Sequence, residues 1–212
     1  DILCHVTDGV TDFLSEYLIE KYSKRLENLI NSLNWVEELA EQRHVDKIVF
    51  LGDFFDSSRI SAIEITALQE VVWSNIEHVF IVGNHEIQMD DTQISTAHLL
   101  SLVPNARVID SPDIDTGFGY HLLYLPYVKE NKRQTIKSIF NYLTSGYFFT
   151  QEVKKVIAFS HNDLKIQYGM IPATIGYEVS DIESTCNLFI NGHLHNGSEI
   201  GSCIYNIGNL QL

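Results

Sequence analysis

Basic residues are scarce in this chain. Lys and Arg number 14 against 28 Asp and Glu, and the formal net charge is −14. That balance argues against a protein that holds nucleic acid on a broad basic face, because like charges repel at long range, although local charge can oppose the net. Four prolines and 12 glycines in 212 residues exclude a fibrous chain. Cys4, Cys186 and Cys203 are odd in number and lack metal-ligand spacing, so no disulfide framework is expected and a reducing compartment is the simpler reading. No stretch approaches ~18 uninterrupted apolar residues, so no transmembrane helix is expected. The N-terminus lacks the basic start and apolar run of a secretory signal. The chain starts at Asp1 without Met and ends on Leu212 in an apolar segment, and both ends are expected to be trimmed.

What is present is a hydrophobic fraction of 45%, enough for a sizeable core and too much for a disordered chain. Short apolar runs alternate with helical patterns. Strands are expected at Ile2–Thr7, Lys47–Leu51, Val79–Val82, Tyr120–Leu125, Val156–Ser160, Leu188–Asn191 and Ser202–Ile207. Helical spacing covers Phe13–Gln42, with Leu26, Leu29, Ile30, Leu33 and Val36 on one stripe, then Ile63–Trp73, Ser95–Leu102 and Lys132–Tyr147. The alternation predicts one layered α/β domain over 1–212. In such folds sites form beyond the carboxyl ends of the strands.

Five such junctions carry Asp, Asn and His in series. They are Asp8, then Gly52-Asp53-Phe54-Phe55-Asp56, Gly83-Asn84-His85-Glu86, Ser160-His161-Asn162-Asp163, and Gly192-His193-Leu194-His195-Asn196. Carboxylate, amide oxygen and imidazole together suit Mn, Fe, Zn or similar divalent ions. Glycine before a ligand lets the backbone turn sharply and approach an ion. His193 and His195 are two apart and would point the same way in an extended segment. Asp53 has two oxygens and can bridge two ions. His44, His78, His98 and His121 lack partners at motif spacing and read as surface or satisfied core histidines.

The sequences GDFFD, GNHE, the single His161 and GHLH together resemble the signature of the calcineurin-like metallophosphoesterases, over residues 2 to 209. Leu3–Asp8, Leu125-Pro126-Tyr127 and Ile207–Leu210 are similar to segments of the SbcD-type nuclease subunits of DNA break repair. Ser160–Asp163, Gly169 and Asp181–His195 resemble the phage-encoded branch of that group. The resemblance implies a four-layer α/β/β/α sandwich. It implies two divalent ions, Mn first, with Fe, Zn or Mg as alternatives. Asp53 would bridge them, Asn84, His161 and His193 would complete one shell, and Asp8 and His195 would hold the other ion. His85, oriented by Asp56, would face the scissile phosphate as general acid or transition-state stabiliser. It further implies DNA as substrate, an SbcC-type ATPase subunit as partner, homodimerisation through residues 11–42 as an option, and a cytoplasmic location in a bacterial or phage-infected cell. A capping region would follow the catalytic domain, so truncation at Leu212 is expected.

One position departs from the pattern. The family's first motif is Asp-x-His, but here it is Asp8-Gly9-Val10. The other register, Asp1-Ile2-Leu3, also lacks the histidine, and His5 matches a strand residue upstream of the motif. Valine offers no lone pair, so the first metal site is expected to be weakened. Three readings follow: a metal-dependent exo- or endonuclease of DNA repair and recombination; a phosphatase or phosphodiesterase on a small or protein phosphoester, which the acidic charge favours; and a scaffold that has lost its chemistry. Alone, the domain is expected to hold DNA poorly and to depend on a partner for a basic grip.

Overall fold

The computed structural model describes residues 2–5, 22–117, 119–145, 155–168 and 171–208. Two sheets carry the architecture. The first is all parallel, in the order β1 (Ile2–His5), β2 (Lys47–Phe50), β3 (Glu77–Ile81), β6 (Ala106–Ile109). Between β3 and β6 a small hairpin, β4 (Ile87–Gln88) and β5 (Asp91–Ser95), leads into a 3-10 helix at Thr96–Leu102. The second sheet joins β7 (Asp113–Thr116), β8 (Tyr120–Leu125), β9 (Lys155–Ser160), β14 (Leu188–Asn191), β16 (Ile204–Asn206) and β15 (Ser198–Ile200). Its centre is parallel and its two edge strands are antiparallel. Two short pairs lie between β9 and β14: β10 (Leu164–Lys165) with β13 (Tyr177–Glu178), and β11 (Gln167–Tyr168) with β12 (Ile171–Pro172).

The packing explains why both sheets read as nearly continuous apolar runs. Val49, Leu51, Val79 and Ile81 of the first sheet face Leu122, Tyr124 and Phe159 of the second and make the middle core. The opposite face of the first sheet, Ile48, Phe50 and Phe80, packs under Leu33, Val36 and Ala40 of α1 (Lys24–Arg43). The opposite face of the second, Leu123, Ala158 and Phe189, packs under Ile136 and Ile139 of α3 (Ile136–Thr144) and Ile182 of α4 (Val179–Thr185). The result is the expected four layers, α/β/β/α, with strands apolar on both faces.

Helix limits follow their caps rather than their apolar stripes. Ser23 accepts from the Leu26 amide and starts α1, while residues 13–21 lie outside the described part. The helix expected over Ile63–Trp73 is only α2 (Ala62–Leu68); it opens on a Ser61/Glu64 capping box. Beyond it Val71 packs in the core and Glu37 captures Ser74. Likewise α3 starts at Ile136, not Lys132, because Thr135 caps it and Asp181 accepts from the Ile136 amide. β6, β7, β15 and α4 were not expected from the sequence; they are short and half polar.

The unassigned histidines behave as structural groups. His78 is fully buried, with Nε2 3.0 Å from Glu37 Oε1 and Nδ1 3.1 Å from the Pro104 carbonyl. His44 ends α1 in the left-handed conformation (φ 53°). His121 is buried edge-on to Phe140, and His98 lies 3.6 Å from Asp110. Among the described residues Cys186 and Cys203 are free, buried thiols. No helix among those residues is long and apolar enough to cross a membrane.

Candidate metal centre

The loops after β2, β3, β9 and β14 meet at one end of the sandwich. All four strands are interior strands of parallel arrays, so their carboxyl ends point the same way and their loops become neighbours. The loop after β2 turns through two consecutive positive φ values, 88° at Gly52 and 49° at Asp53. Gly52 is required by space as well as by φ. A Cβ there would sit 2.4 Å from Nδ1 of His161. Gly83 is required by space alone, since its Cβ would lie 2.1 Å from Oδ1 of Asp53.

His161 is the hub. Its Nδ1 is 2.6 Å from the Leu51 carbonyl, and a carbonyl only accepts, so the Nδ1 proton points there. Its Nε2 then faces three further acceptor-bearing groups. Asp53 Oδ2 is at 3.0 Å, Asn84 Oδ1 at 3.0 Å and His193 Nδ1 at 3.1 Å. Ligand atoms of Asp53, His161 and His193 all lie within 4.8 Å of one another. Lone pairs converging in this way repel unless a positive charge lies among them. Two imidazoles, a carboxylate and an amide oxygen fit a divalent ion of the Mn, Fe or Zn type. Burial opposes a charge on the His161 ring, but the Asp53 carboxylate outweighs burial and raises the imidazole pKa. Burial likewise works against the Asp53 charge, and His161 and the His85 amide more than offset it, holding this carboxyl at about 2.

His85 stands beside this cluster and is open to solvent. Its backbone amide donates to Asp53 Oδ1 (3.0 Å), and its Nδ1 donates to Asp56 Oδ1 (2.9 Å). Nε2 is left free of Asp56 and lies 3.9 Å from Asp53 Oδ2. Partial burial lowers the pKa of the ring, but Asp53 and Asp56 together raise it above its ordinary value.

The structure therefore brings together Asp53, Asn84, His161 and His193, and sets the His85–Asp56 pair next to them. Asp8 and Val10 lie outside the described residues, as do Gly169 and the terminal Asn209 and Leu210. His195 is exposed, and among the described residues it is not grouped with Asp53, His161 and His193.

Several supporting residues were not singled out from the sequence. Glu86 is fully buried and accepts from the Gly83 and Phe55 amides (2.8 and 3.1 Å), which ties the Asp53 loop to the Asn84 loop. Burial pushes its carboxyl up to about 7. Asn162 accepts from the Val128 amide and donates to the Leu125 and Pro126 carbonyls, which fixes the Leu125-Pro126-Tyr127 crossing. The Tyr127 amide in turn donates to Val82, joining the two sheets at the site. Asn206 accepts from the Leu194 amide and donates to the Leu194 and Asn196 carbonyls, which shapes the His193–His195 bend. A polar amide ending an apolar strand is the signal that would have pointed to Asn206.

The profile of the family described as calcineurin-like phosphoesterase matches residues 6–197. The DNA double-strand break repair protein Mre11 of Sulfurisphaera tokodaii is 21% identical over 178 residues, which is 81% of this chain and 44% of that protein. The chain thus spans less than half the length of that relative, and the relative supports the resemblance to SbcD-type subunits. A solved crystal structure aligns with 98% of this chain and 90% of its own at a TM-score of 0.53 and 11% identity, a likeness of fold alone. The chain belongs to the calcineurin-like phosphoesterases, a family of metal-dependent phosphoester hydrolases.

Proposed function

We propose that this chain is the catalytic domain, residues 1–212, of a DNA nuclease subunit of the SbcD type, acting with an SbcC-type ATPase in DNA repair or recombination. The observation that carries the hydrolytic part is the convergence of Asp53, Asn84 and His193 on Nε2 of His161, with His85 open to solvent beside them. Those four residues would hold one divalent ion. Asp8 and His195, with Asp53 as bridge, would hold a second, more weakly because Val10 stands where a histidine is expected.

Bound ions would supply an acidified water at neutral pH and offset charge on the phosphate oxygens. The rest is the work of the chain itself. Asp53 is held on one oxygen by the His85 amide, so its other oxygen keeps one orientation. His85 donates through Nδ1 to Asp56, which leaves Nε2 to meet the phosphodiester. Water adds to phosphorus, the P–O bond to the leaving group breaks, and His85 delivers a proton to the departing alkoxide. The His85–Asp56 pair at 2.9 Å supports an active enzyme over an inert scaffold, since neither residue braces the core.

The net charge of −14 favours a second reading, a phosphatase or phosphodiesterase on a small or protein phosphoester. The deciding experiment is hydrolysis of single- and double-stranded DNA, and of a small aryl phosphodiester, with Mn²⁺, with and without the ATPase partner. DNA cleavage that rises with the partner supports the nuclease. Hydrolysis of the small ester alone, partner included, supports the second reading.

A further inference from the structure

Nδ1 of His193 faces the cluster, although histidine can offer either ring nitrogen to a metal. Something must hold the proton on Nε2, and the structure shows what does. Oδ1 of Asp163 lies 3.1 Å from His193 Nε2. A carboxylate oxygen only accepts, so Nε2 is the donor.

Asp163 is gripped on its backbone as well as its side chain. Arg133 donates through one nitrogen to the Asp163 carbonyl (3.1 Å) and through the other to the Val128 carbonyl (2.7 Å). The second nitrogen also lies 3.6 Å from Asp163 Oδ2. The Tyr177 amide donates to the same Asp163 carbonyl (2.9 Å). Gly176, at φ 116°, allows this approach, because a Cβ there would come 2.4 Å from the Asp163 carbonyl carbon. Arg133 is almost wholly buried, with only 6% of its side chain exposed, and it stacks over the Tyr177 ring at 4.9 Å. A guanidinium so enclosed is not available to a nucleic-acid phosphate. Its fork spans the two segments that frame His193, one running on from Tyr127 and the other from His161.

We infer that Asp163 and Arg133 are positioning residues for the metal centre: Arg133 fixes Asp163, and Asp163 fixes the tautomer and ring orientation of His193 so that Nδ1 is the ligand atom. The inference rests on the metal-centre reading above. Carboxylates behind metal-bound histidines typically change metal affinity by about 10–100-fold when removed. Asp163→Asn keeps the shape and an acceptor oxygen but loses the charge, so it is the cleaner variant; Arg133→Lys loses the fork but keeps the charge.

Nitrogen NMR of the metal-free wild-type protein tests the tautomer without any variant. The expected result is a protonated Nε2 and an unprotonated Nδ1 at His193. A proton on Nδ1 overturns the inference whatever the metal does. Mn²⁺ calorimetry then compares wild type, Asp163→Asn, Arg133→Lys and the double variant. The expected loss is about 10–100-fold for Asp163→Asn, less for Arg133→Lys, and a double variant no worse than Asp163→Asn, because both act through one histidine. Affinity unchanged in Asp163→Asn, with the wild type binding, overturns the positioning role. Absence of Mn²⁺ binding by the wild type overturns the metal-centre reading, and the NMR result still decides the tautomer.

Discussion

The carbonyl oxygen of Leu51 lies 2.6 Å from Nδ1 of His161, across 110 residues of chain. This contact joins the end of β2 in one sheet to the end of β9 in the other. It leaves Nε2 of His161 as the atom on which the remaining ligands converge. Gly52, next to Leu51, is the residue whose missing side chain makes room for the ring. Gly52→Ala is therefore expected to destabilise by about 2–5 kcal/mol, combining about 1–2 for a left-handed non-glycine with about 1–3 for overpacking. It should also abolish tight Mn²⁺ binding. Thermal melting and calorimetry check both, and a stable variant with normal metal affinity would contradict the packing argument.

Divalent metal should stabilise the fold through this cluster. At a free concentration 100 times Kd the gain is about 2.7 kcal/mol, or about 5–11 °C in Tm for a domain of this size. Chelation should reverse it. Asp53→Asn and His161→Gln should melt at the same temperature with and without Mn²⁺, read by scanning calorimetry.

His85 should separate binding from catalysis. His85→Asn is expected to lower kcat by about 10²–10⁴-fold while leaving Mn²⁺ affinity near wild type, because its side chain bonds Asp56 and only its amide bonds Asp53. Asp56→Asn should lose a smaller part of the same activity. Equal losses of metal affinity in both variants would instead place His85 among the ligands.

Between the two sheets, Asp115 accepts from Arg107 (2.8 and 2.7 Å), Lys47 (2.6 Å) and the Tyr124 hydroxyl (2.8 Å). Lys47 and Arg107 belong to the first sheet and Asp115 and Tyr124 to the second, so the cluster clamps the two together. Burial raises the Asp115 pKa, but its three donors overcome that and hold the carboxyl far below the ordinary range. A depressed folded pKa gives stability that is fully present above the unfolded value of about 3.9 and fades as pH falls below it. Asp115→Ala removes the carboxylate that both Lys47 and Arg107 bond, but Glu77 stays beside both and Asp113 beside Arg107, so the cost at pH 7 should fall below the ~3–5 kcal/mol of a fully orphaned buried charge. In urea melts from pH 7 down to pH 3 the gap between variant and wild type should stay constant to about pH 4 and begin to narrow below it.

The loop-to-loop tie through Glu86 gives a last expectation. Glu86→Gln can still accept from one amide, but its NH2 opposes the other, whether Gly83 or Phe55. A loss of about 1–3 kcal/mol follows for the unsatisfied donor, with weaker Mn²⁺ binding as the Asp53 and Asn84 loops drift apart.

The local signals in this sequence were strong where function needs a particular residue at a particular strand end. GDFFD, GNHE, His161 and GHLH lie at the ends of β2, β3, β9 and β14, and the apolar runs before them form those strands. That is periodicity and turn chemistry, both readable within a few residues. What no window could show is partnership at long range. The Arg133 side chain meets Asp163 30 residues away, Glu37 meets His78 41 residues away, and Lys47 meets Asp115 68 residues away. Each looks like an ordinary surface charge until helix, loop or sheet packs over it and desolvates it. The sequence alone determined the family, the layered fold and the identity of the groups gathered at the site. Only the tertiary structure decided which nitrogen of each histidine faces that site, because this depends on carbonyls and carboxylates that distant segments bring within 2.6–3.1 Å.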